Sequence, residues 1–261
     1  MQDLITSPSN PLIKQARALR QKKARQESGL FLVEGILHVG EAAEAGWHIE
    51  TLLYCPERLR SGFGRELVEK LASQNIRCVP ISQTAFESFS EKENPQGIAA
   101  LVHQKHFSLS TFPSFQLAVA LVSPQDPGNV GSIFRTIDAA GADGLFLLEG
   151  GADPFQPACV RASMGTMFWK PFVQTSFEAF KVWAKKGNFR LVGTSAHATC
   201  SLTAFCMDER PTVLLLGSEQ KGLSAEQMAI CDDVLSLPMR GRASSLNLAV
   251  AAGIFLYGLK N

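Results

Sequence analysis

Three short segments of the sequence combine side chains that can bind or activate a substrate with the glycines and prolines that shape tight loops. They span 123–135, 214–224 and 237–251, and each includes or directly follows the end of a short apolar run. The side chains in them that can hold charge or hydrogen-bond a ligand are Asn129, Arg135, Glu219, Ser245 and Asn247. Ligands of open parallel sheets bind beyond the carboxyl ends of the strands. We therefore expect the three segments to build one site.

Each of these side chains also has a structural interpretation. Asn129 is placed to be the N-cap of a helix. Arg135 points off the apolar stripe of that helix, where it could grip a phosphate or simply face solvent. Glu219 could hold helix N-termini or take part in catalysis. Ser244 or Ser245 could be no more than the N-cap of the following helix, with Ser245 and Asn247 in its first turn.

Two nucleotide-binding motifs are excluded by the glycine pattern of this half. The segment 214–224 resembles a phosphate-binding P-loop only superficially, because the order of glycine and lysine is reversed and the spacing differs. No G-x-G-x-x-G follows the first strand, which argues against a dinucleotide-dependent oxidoreductase. Gly217 instead follows a buried strand directly, where a glycine lets a ligand approach the backbone closely. Ser224 and Gln227 form a capping box that starts the next helix.

The C-terminal half has the rhythm of a parallel sheet. Short apolar runs are each followed by a turn and a helix, and strands that are apolar on both faces require helices on both sides. The runs are Leu117–Val122, Leu145–Leu148, Arg190–Val192, Val213–Leu216 and Val234–Leu237. The pattern predicts an α/β domain over residues 116–261, with a linker over 105–115.

The pattern over residues 1–104 predicts a second, smaller α/β domain. Its expected strands lie at 30–33, 51–55, 76–81 and 98–102, and its expected helices at 36–45 and 66–72. Before them, a helix that starts at Pro11 should carry a basic stretch. The stretch contains Lys14, Arg17, Arg20, Lys22, Lys23 and Arg25. It is either an RNA-binding face or a merely solvated helix face.

Composition narrows the class of protein further. The 261 residues are 46% hydrophobic and 19% charged with a net charge of +1, as in an ordinary globular protein. The six cysteines form no C-x-x-C pair, so neither a metal site nor a disulfide framework is expected. The N-terminus lacks the apolar centre of a secretory signal, and no run is long enough to cross a bilayer. A cytoplasmic location is therefore expected.

Taken in order, the three loops resemble the SpoU (TrmH-like) branch of the SPOUT RNA methyltransferases. Asn129–Thr136 resembles the family's N–R motif, and Leu216–Gly222 its Leu-Gly-x-Glu-x-x-Gly motif. Leu237–Asn247 is similar to the Ile-Pro-Met…Ser-Leu-Asn motif, with leucine in place of the usual isoleucine. The resemblance covers about residues 115–260. Phe31–Gly35 is also similar to the L30e-like RNA-binding domain that is often attached to this family.

The resemblance implies an activity and a set of site residues. It implies a deep trefoil knot, a homodimer with a shared active site, and S-adenosylmethionine as the cofactor, with no metal. Arg135 would be the central catalytic residue, assisted by Asn129, Glu219, Ser245 and Asn247. The cofactor would contact the backbone at Thr194, Gly217, Leu237, Met239 and Leu246. RNA contacts are expected at Lys14, Arg17, Arg25, Arg161, Arg240 and Arg242.

The implied reaction is transfer of a methyl group to a ribose 2′-hydroxyl of RNA. The L30e-like domain favours 23S ribosomal RNA as the substrate, with transfer RNA as the alternative. A non-catalytic RNA-binding protein that retained the fold is the rival interpretation, and the presence of all five motif side chains argues against it.

Overall fold

The computed structural model describes residues 3–260 and divides the chain into two compact units. Unit 1 contains the residues up to 105 together with 155–168. Unit 2 contains 106–154 and the residues from 169 onward. No helix within 3–260 is both long enough and apolar enough to cross a membrane.

Helices and strands are interspersed along the described chain, which confirms the predicted α/β class. The helices are α1 (Pro11–Ala18), α2 (Lys22–Ser28), α3 (Ile36–Glu44), α4 (Gly62–Ser73), α5 (Gln83–Glu87), α6 (Pro127–Ala139), α7 (Pro157–Ala162), α8 (Phe177–Lys186), α9 (Ala225–Ala229) and α10 (Leu248–Lys260). The strands are β1 (Leu30–Glu34), β2 (Ile49–Tyr54), β3 (Arg77–Pro80), β4 (Ile98–His103), β5 (Leu117–Val122), β6 (Gly144–Leu148), β7 (Phe172–Thr175), β8 (Arg190–Thr194), β9 (Cys200–Ser201), β10 (Thr212–Leu216) and β11 (Asp233–Ser236).

Unit 1 is built on a four-stranded mixed sheet in the order β1-β4-β2-β3. Strand β4 runs antiparallel to both β1 and β2, and β3 is parallel to β2. Its core includes Ile13, Leu53, Phe86 and Leu101, none of which is accessible to solvent. Helix α4 starts before the predicted 66–72, because the Ser61 side chain caps it by accepting from the Gly64 backbone N–H.

The basic stretch near the N-terminus forms two helices, and the prediction of a single helix is wrong. The chain breaks between α1 and α2 because the guanidinium of Arg25 folds back onto the end of α1. Its Nη1 donates to the carbonyl oxygens of Leu19 and Arg20 at 2.8 and 2.9 Å. These carbonyls would otherwise lack partners at a helix C-terminus. Arg25 is consequently only 1% exposed.

Unit 2 is built on the predicted parallel sheet, which has seven strands in the order β7-β6-β5-β10-β8-β11-β9. Every neighbouring pair is parallel. All residues of β5, β6 and β10 are buried, as expected for strands covered on both faces. Two strands of this sheet, β7 and the two-residue β9, were not predicted from the sequence. Strand β10 follows β8 and β9 along the chain but lies between β5 and β8 in the sheet.

Aromatic side chains fill one face of the unit 2 sheet. Phe115, Phe146 and Phe180 are buried there beside the partly buried Trp183. Phe112, from the segment predicted as a linker, joins them with its ring centroid 4.5 Å from that of Phe146. The C-terminal part of that segment therefore contributes to the core of unit 2.

Candidate active site

The three polar loops leave the same edge of the unit 2 sheet. Residues 123–126 follow β5, 217–224 follow β10 and 237–247 follow β11. These strands are parallel members of one sheet, so their carboxyl ends point the same way. Hydrogen bonds link all three loops to one another.

A chain of side-chain hydrogen bonds connects Glu219, Asn129 and Asn247. The Glu219 carboxylate accepts from the Gln125 backbone N–H at 3.1 Å and from Asn129 Nδ2 at 3.4 Å. Asn129 Oδ1 accepts from Asn247 Nδ2 at 3.0 Å. Asn247 Oδ1 in turn accepts from backbone N–H groups in the first turn of α10 at 2.9 and 3.3 Å. One residue from each predicted motif therefore takes part.

The carboxylate sets the direction of this chain of hydrogen bonds. An ionised carboxylate can only accept, so Asn129 must turn its NH₂ group toward Glu219 and its oxygen toward Asn247. Asn247 must then present its NH₂ group to Asn129 and its oxygen to α10. The helix start and the carboxylate thus fix both amide groups from opposite ends, which holds the three loops in one arrangement.

Two predictions about helix caps are wrong. Helix α6 begins at Pro127, and its N-cap is Asp126, whose Oδ1 accepts from the Gly128 backbone N–H at 2.7 Å. Asn129 therefore lies inside the first turn. Ser245 and Asn247 precede α10, and the Asn247 side chain, in place of a serine, accepts from the N–H groups of its first turn. The predicted capping box of Ser224 and Gln227 is confirmed.

A cavity of about 500 Å³ opens between the loops after β8, β10 and β11. This volume lies within the roughly 300–1,000 Å³ typical of small-molecule sites. Its apolar lining includes Leu216, Leu223 and Phe255. All five residues expected to contact the cofactor line it, together with two of the expected catalytic residues: Thr194, Gly217, Leu237, Met239, Leu246, Glu219 and Ser245.

Gly217 is required by the packing of its own loop. A Cβ atom at this position would overlap the backbone of Gly222 and Leu223. The loop folds back on itself through a bridge between Ser218 and Gly222, so the backbone cannot retreat independently. The sequence analysis attributed this glycine to ligand approach. The structure shows in addition that any side chain here would push the cavity wall out of place.

Arg135 lies on α6 with its side chain in solvent. The helix buries Val130, Ile133, Phe134 and Ile137 as predicted, and Arg135 points off that stripe. Within residues 3–260 its guanidinium makes no hydrogen bond or ion pair and does not line the cavity. Arg135 is thus available to an anionic ligand, whereas Asn129, Glu219 and Asn247 are already engaged with each other.

The expected RNA contacts differ in how accessible they are. Lys14, Arg240 and Arg242 are exposed. Arg17 is half-buried and donates to the carbonyl oxygens of Ser88 and Pro8. The prediction for Arg25 is wrong, because its buried guanidinium caps α1 and cannot reach a phosphate.

Arg161 belongs to unit 1, where it shares a carboxylate with Arg20. Glu91 accepts from Arg20 Nε at 2.9 Å and from Arg161 Nη1 at 3.0 Å. Burial alone would raise the pKa of Glu91, but hydrogen bonds from Arg161 and Arg20 outweigh it and lower the pKa. Two guanidinium groups on one carboxylate leave one positive charge in excess.

The surroundings of His38 predict that the stability of unit 1 depends on pH. Burial lowers its pKa from the ordinary 6.5, and Lys92 and Arg161 act in the same direction, while a hydrogen bond with the Arg161 carbonyl and the charge of Glu41 oppose them. The unfolded chain therefore binds the proton more readily than the folded one. We expect the free energy of unfolding to decrease as the pH falls below about 6.5.

Chemical denaturation at several pH values checks this expectation. In His38→Gln the decrease should become smaller, whereas the exposed His48→Gln should retain it. An identical pH dependence in wild type and His38→Gln would contradict the assignment.

Several residues of the site were missed at the sequence level. The backbone N–H of Gln125 anchors Glu219, and Asp126 caps α6. His197 and Lys221 line the cavity. The pair Asp126–Pro127 carried a signal, since an N-cap aspartate followed by proline at the first helical position marks a helix start. Gln125 and Lys221 lie within the predicted loops but were not singled out, and His197 lies outside them, in the loop after β8.

No group of three or more His, Cys, Asp or Glu side chains within the described residues is arranged to hold a metal ion.

Two sequence models match the chain. That of the SpoU rRNA methylase family matches residues 116–257, and that of the MRM3-like substrate binding domain matches residues 10–100. The chain is 36% identical to the 23S rRNA (uridine(2479)-2′-O)-methyltransferase of Streptomyces viridochromogenes, over 92% of this chain and 85% of the relative. It is 32% identical to the 23S rRNA (guanosine(2553)-2′-O)-methyltransferase RlmP of Bacillus subtilis, over 98% of each.

The fold is also similar to a solved structure. The AdoMet-bound rRNA methyltransferase from Sinorhizobium meliloti superimposes with a TM-score of 0.89 and 34% sequence identity, over 98% of this chain and 96% of that one. The family match covers the sheet, the linked loops and the cavity. The chain therefore belongs to the SpoU rRNA methylase family.

Proposed function

We propose that the protein transfers a methyl group from S-adenosylmethionine to a ribose 2′-hydroxyl of RNA, with 23S ribosomal RNA as its substrate. The observation that carries the proposal is that the second and third motif loops line one cavity, while hydrogen bonds among Glu219, Asn129 and Asn247 join the first loop to them. The names of the relatives support the choice of reaction and of RNA.

The cavity suits S-adenosylmethionine in size and in chemistry. Apolar side chains can pack against an adenine ring, and Glu219 adds a carboxylate at the rim of a cavity that also contains Ser245. Backbone at Thr194, Gly217, Leu237, Met239 and Leu246 would hold the cofactor. When bound, the cofactor supplies an electrophilic methyl group, which is chemistry that no side chain provides.

Arg135 is proposed to bind a phosphate of the target RNA and to stabilise the negative charge that develops on the ribose oxygen. Guanidinium is essentially always protonated in proteins, so it cannot serve readily as a base. Its five donors and planar shape suit a phosphate and an adjacent oxyanion. Proton removal is therefore assigned to the phosphate or to water.

The remaining motif residues are proposed to position the reactants. Asn129, Glu219 and Asn247 hold the three loops in register, as their hydrogen bonds indicate. Ser245 lies exposed at the cavity and would orient the hydroxyl. Such alignment accounts for a large part of the rate in reactions that need little covalent chemistry from the protein.

The domain organisation is proposed to follow the family. Residues 1–104 would form an L30e-like domain that selects the RNA through Lys14, Arg17 and Arg161, with 105–115 as the linker. Residues 116–261 would form the catalytic domain, with Arg240 and Arg242 as further RNA contacts. The insertion of β10 between β5 and β8 supports a deep trefoil knot in this domain. A cytoplasmic location is part of the proposal.

A homodimer is proposed to form through α10. Val250, Ile254 and Tyr257 are large, exposed and spaced to lie along one face of this helix, which is unusual for a helix that faces only water. The face is self-complementary if two copies of α10 pack against each other.

Sedimentation of a matched pair of variants tests the dimer. Wild type is expected to sediment at twice the mass of a single chain, and Ile254→Lys at the mass of one. Val182→Lys replaces an isolated apolar side chain on α8 that is 67% exposed, so it should remain dimeric. A monomeric wild type, or a dimeric Ile254→Lys, would contradict the proposed interface.

Two measurements in sequence test the proposed function. Calorimetry should show binding of S-adenosylmethionine, and tritium from its methyl group should then pass to bulk RNA from a strain that lacks this protein. RNA binding without cofactor binding would make the chain a non-catalytic RNA-binding protein. Mapping 2′-O-methylation in that strain and its parent would identify the target, and a difference confined to transfer RNA would overturn the choice of ribosomal RNA.

A further inference from the structure

The turn before α4 in unit 1, together with the first turn of that helix, presents an exposed aromatic ring between two arginines. Its sequence over residues 60–65 is Arg-Ser-Gly-Phe-Gly-Arg. Phe63 is 60% exposed, more than any other described Phe, Tyr or Trp of this unit. Arginine, glycine and an aromatic residue in one short segment are typical of chains that bind single-stranded nucleic acid.

The structure holds this ring in a defined position. The Ser61 side chain caps α4, so Phe63 lies in the first helical turn. A Cβ on Gly64 would lie 2.7 Å from Leu59 Cδ1, so a glycine there lets the turn pack closely on the unit. Gly40 on α3 lies against the edge of the Phe63 ring, at 3.8 Å from where its Cβ would be. The ring is supported on one side and open on the other.

Among the described residues, neither of the two flanking arginines is paired with a carboxylate. Arg65 Nη2 donates to the Arg60 carbonyl oxygen at 3.1 Å, which draws its guanidinium back toward the turn. Neither side chain forms an ion pair within residues 3–260, although Glu57 and Glu66 are close in sequence. Arg58, by contrast, is neutralised by Glu87. The turn therefore offers two unneutralised guanidinium groups beside an open aromatic face.

We propose that Phe63 stacks on one unpaired base of the RNA substrate, while Arg60 and Arg65 contact the adjacent phosphates. This inference rests on the proposed function insofar as it takes RNA to be the substrate. A single open ring matches the area of one base, and the arginines match the charge that flanks it. A protein partner fits less well, since a stable interface buries about 800 Å² on each side.

Binding of short RNA to the full-length protein tests the proposal. The probe is a fluorescent 12-nucleotide single-stranded RNA, measured by anisotropy at several salt concentrations beside the same sequence as a duplex. Phe63→Leu keeps an apolar side chain but removes the ring, and should weaken single-strand binding by about fivefold or more. Phe63→Tyr keeps the stacking face and should bind within about twofold of wild type. Duplex binding should be unchanged in both variants.

The salt dependence of RNA binding tests the two arginines separately. The double variant Arg60→Gln, Arg65→Gln should reduce the dependence of log Kd on log salt by about 0.7 for each phosphate contact that is lost. Lys70→Gln, which removes an exposed cation from the C-terminal half of α4, is the matched control for the removal of surface charge. An unchanged slope in the double variant would exclude the phosphate contacts.

The outcomes separate this inference from the proposed function. If Phe63→Leu bound the single strand as wild type does while methyl transfer persisted, the stacking site would be wrong and the function would stand. If Phe63→Leu lost affinity while wild type transferred no methyl group, the stacking site would stand and the proposed function would be wrong. If Phe63→Leu changed only the sedimentation of the protein, the ring would belong to an interface between chains and the proposal would be overturned.

Discussion

Replacing Arg135 by alanine is expected to lower the rate of methyl transfer by roughly 100- to 1,000-fold, the range seen when one preorganised donor to a developing oxyanion is lost. The side chain is exposed and makes no hydrogen bond or ion pair within residues 3–260, so its removal should leave the thermal stability nearly unchanged. Because it lies outside the cavity lining, the Kd for S-adenosylmethionine should also remain within about twofold of wild type. Single-turnover kinetics and calorimetry measure the two quantities separately.

A lysine variant separates the effect of the charge of Arg135 from the effect of its donor geometry. Lysine preserves the charge but not the planar arrangement of donors, so Arg135→Lys should remain impaired by at least about tenfold. Lys186→Ala, which removes an exposed cation from α8 in the same unit, should transfer methyl groups at the wild-type rate. Near-normal turnover in Arg135→Lys would show that bidentate arginine geometry is not essential.

Substitution of Gly217 should abolish most cofactor binding. Its Cβ would overlap backbone at Gly222 and Leu223, and the loop that contains them forms a wall of the cavity. Overpacking against atoms that can shift only partly costs about 1–3 kcal/mol, which corresponds to a loss of about 5- to 150-fold. We expect Gly217→Ala to weaken the binding of S-adenosylmethionine within that range, as measured by calorimetry.

Gly150→Ala provides the control for a glycine substitution in unit 2. Gly150 has a φ of +73°, so alanine there introduces backbone strain, but its Cβ would meet no atom within 4 Å. Stability should decrease slightly, by about 1–2 kcal/mol, while cofactor binding stays at the wild-type level. If both variants bound the cofactor equally well, the cavity wall would not depend on the packing at Gly217.

The long buried strands of unit 2 were predictable from the sequence, and its short strands were not. The apolar runs of β5, β6 and β10 were recognised because strands buried on both faces leave a continuous pattern. The four residues of β7 and the two of β9 leave no such pattern, since pairing with a neighbouring strand defines them. The insertion of β10 between β5 and β8 is equally invisible in a local pattern.

Arg25 shows why the sequence misassigned some site residues. Its position in a basic stretch favoured an RNA contact, but two carbonyl oxygens at the end of α1 needed donors and the guanidinium supplied them. Asn129 failed as a predicted N-cap for a related reason. Asp126 before Pro127 satisfied the helix, which left Asn129 to connect Glu219 with Asn247. In both cases competition for hydrogen-bond partners decided the outcome.

Alkaline hydrolysis of the labelled product tests the central claim most directly. Purified protein would be incubated with S-adenosylmethionine carrying a tritiated methyl group and with unmodified 23S ribosomal RNA, and the RNA would then be digested with alkali. Alkaline cleavage needs a free 2′-hydroxyl, so a methylated ribose protects the adjacent linkage. We expect the label to appear in an alkali-resistant dinucleotide, and we expect the product of Arg135→Ala to carry at least about 100-fold less label after the same short incubation. Label recovered in mononucleotides would place the methyl group on a base and contradict the proposed function.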